Sequence, residues 1–379
     1  MEINDVISRM SDSALIGKLL EKVERESSGS SSLRIMEVCG THTMSVFRHG
    51  LRSLLPETVD LIAGPGCPVC VTSASHIDSF ISIVRQKGVR VATFGDLYRV
   101  PGFEGSLAQA SACGGRVDIV YSPVDALQKA KDNPSELVVF LGIGFETTVP
   151  GVAATIQEAA RNKVDNFAVF STHKLMPPAL EALFSDFSLR IDGLLCPGHV
   201  SAIIGVSAYE HLADNYSLPC VVTGFEPADI LQGIIMLARQ KRCCRSIVEN
   251  AYPRVVTWEG NKNALEMLDS VFQVCDTSWR GFGVIPASGL AIRPEFDLYN
   301  AEKRLNIVSK EVDEPTGCRC GSILKGICTP PDCPLFAGRC TPLNPVGPCM
   351  VSSEGSCAAY YRYGTVREGK IMDHELQNG

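Results

Sequence analysis

The sequence predicts an α/β protein of two similar parallel-sheet domains facing each other across a cleft, followed by a small cysteine-rich, metal-held domain. Three observations carry this. Short Val- and Ile-rich runs alternate with helical segments in two series of four, each run of the second series about a hundred residues after its counterpart in the first. Such βα alternation builds parallel sheets. Turns bearing glycine, histidine and cysteine follow the runs, at the strand ends where open α/β sheets bind ligands. Finally, seven of the sixteen cysteines fall between Cys318 and Cys357, in a stretch with little periodicity.

In chain order, Val6, Ile7, Met10, Leu15, Ile16, Leu19, Leu20 and Val23 recur at helical spacing, and the run from Glu24 to Ser32 reads as a flexible connector. Residues 1–33 are therefore an expected helix and linker. Arg34 to Gly40, Val59 to Gly64, Val89 to Gly95 and Asp118 to Pro123 are the first series of strands, giving a first α/β domain over 34–125. Leu137 to Gly142, Asn166 to Thr172, Gly193 to Pro197 and Pro219 to Gly224 are the second, over 126–277. Helices are expected over Ala228 to Gln240 and Asn263 to Cys275, and residues 278–379 form the third domain.

Bulk composition excludes several classes. Of 379 residues 45% are hydrophobic and 20% charged, enough for large buried cores. The balance of 35 basic against 42 acidic residues, net −7, argues against nucleic acid or an anionic membrane as the main partner. The first ten residues lack the apolar core of a secretion signal, and the longest apolar stretches are near ten residues where a spanning helix needs about twenty. A cytoplasmic protein is expected. Its cysteines, about 4% of the chain, are too few for a disulfide scaffold.

The chemistry is organised around Gly64-Pro65-Gly66-Cys67-Pro68-Val69-Cys70. The prolines restrict φ and the glycines permit the bend, so two thiols three positions apart sit on a stiff turn. Three uses suit it: a redox pair, a zinc site completed by a ligand such as His42 or His76, and a soft-metal or iron site with an open position. Cys39 ends the first run and is followed by Gly40-Thr41-His42-Thr43. Backbone N–H groups and the helix dipole there are expected to favour the thiolate, the form that binds metal.

His42, His173 and His199 end or follow strands and are candidates for ligand contact or proton transfer. Glu146, after Gly144-Phe145, reads equally as a buried carboxylate in the cleft and as an N-cap of the following helix. In the tail, Cys318, Cys320, Cys328, Cys333, Cys340, Cys349 and Cys357 are too many for one tetrahedral zinc. They suit an iron–sulfur cluster with spare thiols, a structural zinc domain being the other reading.

Taken together, Cys39-Gly-Thr-His-Thr, the Gly64 to Cys70 stretch, Gly144-Phe-Glu-Thr-Thr, Cys196-Pro-Gly-His199 and the run from Cys349 to Tyr363 resemble the HypD family of [NiFe]-hydrogenase maturation proteins. The resemblance covers the chain from about Arg34 onward. It implies a scaffold that, with a small HypC-type chaperone, holds Fe(II) while cyanide and carbon monoxide ligands are attached, a HypE-type protein delivering the cyanide and the hydrogenase large subunit being served indirectly. It further implies Cys39 as the iron thiolate, with Cys67 and Cys70 as added ligands or a redox pair; His42, Glu146 and His199, from their places at the strand ends, are expected in the same site. In the tail it implies a [4Fe-4S] cluster on Cys318, Cys333, Cys340 and Cys357, and a redox-active disulfide between Cys320 and Cys349, with Cys328 left over. No independent turnover is expected of such a scaffold. A free-standing iron–sulfur-dependent thiol–disulfide reductase is the alternative that the tail cysteines equally fit.

Overall fold

The computed structural model describes residues 10–28, 32–185, 189–308 and 316–364. Its strands are β1 (Leu33–Glu37), β2 (Val59–Ala63), β3 (Val89–Thr93), β4 (Val117–Ile119), β5 (Leu137–Gly142), β6 (Phe167–Ser171), β7 (Gly193–Pro197), β8 (Cys220–Thr223), β9 (Val248–Asn250), β10 (Phe272–Trp279) and β11 (Gly283–Ile292). Two sheets are wholly parallel, one in the order β2-β1-β7-β8-β9 and one in the order β4-β3-β5-β6. β10 and β11 form an antiparallel hairpin with a register shift between Cys275 and Thr277. The α/β class and both parallel sheets are as expected.

The sheets do not divide the chain as expected. β1 and β2 join β7 to β9, while β3 to β6 form the other sheet, so a boundary at residue 125 cuts the second sheet between β4 and β5. Apolar runs of similar character mark strands but do not choose their neighbours. The choice is made by packing: β1 lies against β7 through Ile35↔Gly193 and Met36↔Leu194. The missing side chain of Gly193 admits Leu237 from the Pro227–Arg242 helix, whose Cδ2 would lie 2.8 Å from a Cβ there. The boundary at residue 278 likewise falls inside β10, which is tied to the body by the bridges Thr72↔Trp279 and, through β11, Lys174↔Gly289.

Alternation along the strands assigns each face. Ile35, Leu61, Leu195 and Val221 pack under the Ser13–Ser27 and Pro227–Arg242 helices, whereas Met36, Ile62, Leu194 and Val222 point the other way. That second set shares one apolar cluster with Val91, Val139 and Leu141 of the other sheet and with Cys320, Cys333, Cys340, Cys349 and Cys357 of the tail. The tail is thus built onto the core that the inner faces of both sheets create. Both faces being covered explains why the strands read as near-continuous apolar runs.

Two local expectations also change. The Ser13–Ser27 helix, capped by Asp12, runs through the start of the expected connector, because buried Glu26 pairs with Arg239 and Arg242 at 3.2 and 2.8 Å. Residues 1–9 and 29–31 of that segment lie outside the described residues. The Lys262–Val271 helix stops short of the expected Cys275, where Phe272 begins pairing with Ile292. Among the described residues no helix is long and apolar enough to cross a membrane.

Candidate functional site

The ends of β1 and β2 are neighbours, paired at Glu37↔Ala63, and their loops lie flat on one another. Gly64 donates its N–H to the Glu37 carbonyl at 2.8 Å, and Gly40 donates to Gly66 at 3.1 Å. A Cβ on Gly66 would sit 2.3 Å from the backbone nitrogen of Cys39, so only glycine permits this approach. The two loops that carry Cys39 and the Cys67–Cys70 pair are therefore brought together, as expected from their strand-end positions.

Cys39 precedes the Gly40–Arg48 helix and is 8% exposed. Its thiol is pushed up to about 12, first by burial and then by the Glu354 carboxylate, against hydrogen bonds to the sulfur from the Thr41 hydroxyl and the His42 and Thr41 backbones. Desolvation here outweighs the helix terminus. A thiolate here requires a compensating cation, as when a metal displaces the thiol proton.

Cys67 begins the Pro68–Val71 helix, its sulfur accepting the Cys70 N–H at 3.2 Å. Its own proton goes to the Ser352 hydroxyl, 3.3 Å away. Ser352 in turn donates to Asp96 Oδ2 at 3.2 Å, and Ser353 adds two bonds to the same oxygen, from its N–H at 3.2 Å and its hydroxyl at 2.8 Å. Glu354 completes the loop by accepting the Thr41 hydroxyl at 2.6 Å, and it packs so tightly that a Cβ on Gly40 would lie 2.5 Å from its own. A three-residue loop of the tail thus lies across both thiol sites. Sequence reasoning did not select Asp96, Ser352 or Glu354 as site residues; the signals were Asp96 after a strand end and the small, polar Ser-Ser-Glu-Gly-Ser run between two tail cysteines.

Behind Cys67 the sulfurs continue without a break. Cys70 is within hydrogen-bond reach of Cys349, and its thiol is raised by burial, then by Cys349 and Cys67. Cys349, fully buried, also meets Cys320 and Cys357; hydrogen bonds from Cys320, Cys357 and Cys70 hold it well below the usual thiol range. Cys318 donates to Cys320 at 3.3 Å. Cys320 and Cys349 are hydrogen-bonded neighbours in this run.

Cys318, Cys320, Cys333, Cys340 and Cys357 line a single cavity together with Phe336. Gly347 keeps it open: a Cβ there would lie 2.5 Å from the Cys320 sulfur and 2.9 Å from that of Cys318. Val346 donates its N–H to the Cys340 sulfur at 3.3 Å. Cys328 is not among the residues lining the cavity. Among the described residues no three His, Cys, Asp or Glu side chains converge tightly enough to hold one metal ion. Thiols spread around a cavity suit a cluster, in which each iron takes its own thiolate, better than a single zinc.

Of the other candidates, His42 and His199 lie together and Glu146 does not join them through any contact. His42 is fully buried, bonds the Gly224 carbonyl through Nε2 at 2.9 Å, and leaves Nδ1 without a partner. Burial lowers it to about 4. It contacts the Phe225 ring at 4.7 Å, and the exposed His199 stacks on the same ring at 3.9 Å. Glu146 is a cap, but of the Met176–Phe184 helix rather than the helix that follows it, accepting the Met176 N–H at 2.7 Å. Burial raises it to about 7. His173 is buried beside Ser171, at 3.0 Å.

A family model described as the hydrogenase formation hypA family, HypD, matches residues 14–364. The chain is similar to the hydrogenase maturation factor HypD of Escherichia coli (strain K12), 48% identical over 332 residues that cover 87% of this chain and 89% of that protein. It is 43% identical over 372 residues to the hydrogenase expression/formation protein HupD of Azotobacter chroococcum mcd 1, covering 96% and 98% of the two chains. The HypD of Rhodobacter capsulatus is 43% identical over 370 residues, with 95% and 98% covered.

Proposed function

The chain belongs to the HypD family of hydrogenase maturation factors, and from that premise we propose that it is the cytoplasmic scaffold on which the iron–dicyano–carbonyl unit of [NiFe] hydrogenases is assembled. A HypC-type chaperone would share the iron, a HypE-type protein would bring the cyanide, and the hydrogenase large subunit would receive the product. The observation that carries this is the unbroken run of thiols from the tail cavity through Cys349 and Cys70 to Cys67, under a loop that also touches the Cys39 segment.

In this reading Cys39 anchors the Fe(II) substrate, and Cys67 and Cys70 stand beside it as further ligands or as a dithiol. His42, through its unpartnered Nδ1, and exposed His199 are placed to contact ligands or move protons. Glu146 acts through the fold by capping the Met176–Phe184 helix. Cys318, Cys333, Cys340 and Cys357 hold a [4Fe-4S] cluster, whose donors are present, whose space Gly347 preserves, and one of whose thiols already accepts a backbone N–H. When bound, such a cluster supplies single electrons. Cys320 and Cys349 form the redox pair between cavity and Cys70. Release of cyanide from a thiocyanate consumes two electrons and yields a thiolate and cyanide; a dithiol passing to a disulfide releases two electrons and two protons.

Burial favours this over the free-standing reductase. A reductase must present a thiol to its protein substrate, whereas Cys67, Cys70 and Cys349 are 3%, 1% and 0% exposed. The deciding experiment is anaerobic co-purification with the HypC-type partner, with iron and sulfide analysis and infrared spectra of the cyanide and carbonyl region for parent and Cys39→Ala. Bands in the parent alone, with sulfide unchanged, support assembly at Cys39. Cluster iron with no bands in either protein, from cells holding the whole maturation set, overturns it in favour of the reductase.

A further inference from the structure

In the proposed function the tail thiols have to be reduced again after each cycle, which calls for an external donor. An open groove of about 420 Å³ lies between β11, the segment before β7 and the end of the Cys320–Leu324 helix. Arg34, Arg190 and Lys325 line it, with no carboxylate among the lining residues, on a chain whose net charge is −7. Arg34 is paired with Asp60 at 3.4 Å and Lys325 lies 5.2 Å over the Phe282 ring. Among the described residues neither Arg190 nor Lys325 has a carboxylate at ion-pair distance.

Between the cations the surface is apolar. Val284 and Ile327 are 59% and 64% exposed, so a small ligand in the groove would leave them wet while a protein surface would cover them. Position adds the third argument. Lys325 follows the helix that begins at Cys320, a separation of about 8 Å along the axis at 1.5 Å per residue. Cys320 lines the tail cavity, and Ile327 directly precedes Cys328.

We propose that this groove docks an acidic one-electron carrier protein that reduces the tail, an inference that rests on reading the cavity cysteines as cluster ligands. A negative partner is repelled by the chain's overall charge and drawn to this patch, which orients it with its redox centre toward Cys320. The contact is of the small, transient kind typical of electron-transfer encounters.

The test uses full-length, anaerobically purified protein carrying its cluster and a reduced, acidic plant-type [2Fe–2S] ferredoxin. The ferredoxin centre gives up one electron and the tail cluster gains it, with no bond made or broken. Stopped-flow bleaching and calorimetric binding are compared for the parent and an Arg190→Glu/Lys325→Glu double variant. The second-order rate should fall roughly tenfold or more in the variant at low salt, with binding weakened in parallel. Added salt should bring the parent toward the variant, while photoreduced deazaflavin bleaches both equally. Equal ferredoxin rates in the two proteins overturn the docking site, as does a parent that deazaflavin bleaches and ferredoxin does not. A purified protein with no cluster to bleach overturns the cluster reading instead, and the docking site with it.

Discussion

The thiol of Cys67 donates a hydrogen bond to the hydroxyl of Ser352, 3.3 Å away across 285 residues of chain. This one contact joins the turn after β2 to the tail, and it does so at the point where Asp96 and Glu354 fix the same loop to two further strand ends.

Ser352→Ala should cost about 1 kcal/mol of stability in urea denaturation, the usual net worth of a buried hydrogen bond. Asp96→Ala removes the acceptor of three bonds and should cost more, about 1–3 kcal/mol. Because both changes loosen the same loop, a double-mutant cycle should show the combined loss to be smaller than the sum. Strict additivity would mean that the loop does not act as a unit.

Two glycine substitutions should move stability in opposite directions. Gly66→Ala forces a Cβ to within 2.3 Å of the Cys39 backbone and should destabilise by several kcal/mol, roughly 3 or more, or prevent folding. Gly17→Ala, inside the Ser13–Ser27 helix with nothing within 4 Å, should stabilise by up to about 1 kcal/mol. Thermal melts of the two variants beside the parent check both signs.

Cys349→Ala and Cys328→Ala separate the thiol run from its surroundings. Cys349 touches Cys70, Cys320 and Cys357, so its loss should abolish hydrogenase maturation while iron and sulfide in the tail stay near parental values. Cys328 does not line the cavity, and its replacement should leave both readouts unchanged. Hydrogenase activity in cells and metal analysis of the purified variants give the comparison.

Glu146 should leave a signature in the pH dependence of stability. Its carboxyl is raised from 4.5 to about 7, so the native state holds that proton more tightly than the unfolded chain does. Its stabilising contribution is complete below about pH 4.5 and is lost as the pH rises through about 7, a change of roughly 3 kcal/mol. Glu146→Gln keeps an oxygen for the Met176 N–H and should flatten that slope. His42 works with the opposite sign: lowered to about 4, it contributes above 6.5 and is lost as the pH falls through 4.

What sequence reasoning reached and what it missed divide along range. The strands and the adjacency of the loops that carry Cys39 and the Cys67–Cys70 pair were readable, because runs such as Val59–Ala63 are locally specified and loops on adjacent strands must be neighbours. Sheet membership was not, since nothing in β1 itself names β7 as its partner. The Ser352–Glu354 loop was missed for the same reason, its partners lying more than 250 residues away. The depth of Cys39 was not readable, because the helix terminus is visible in sequence whereas burial is a property of the whole fold.

The interleaved order of the first sheet sets a timetable for the protein's birth. β1 and β2 leave the ribosome early, but one edge of β1 stays bare until its partner at Gly193 is made, 158 residues after Ile35. At ordinary elongation rates that wait is roughly ten to thirty seconds, and the Ser352–Glu354 loop is made later still. A nascent chain therefore displays the Cys39 and Cys67 segments long before it can enclose them. Only the finished polypeptide, with the Ser352–Glu354 loop in place across both segments, can shut water out.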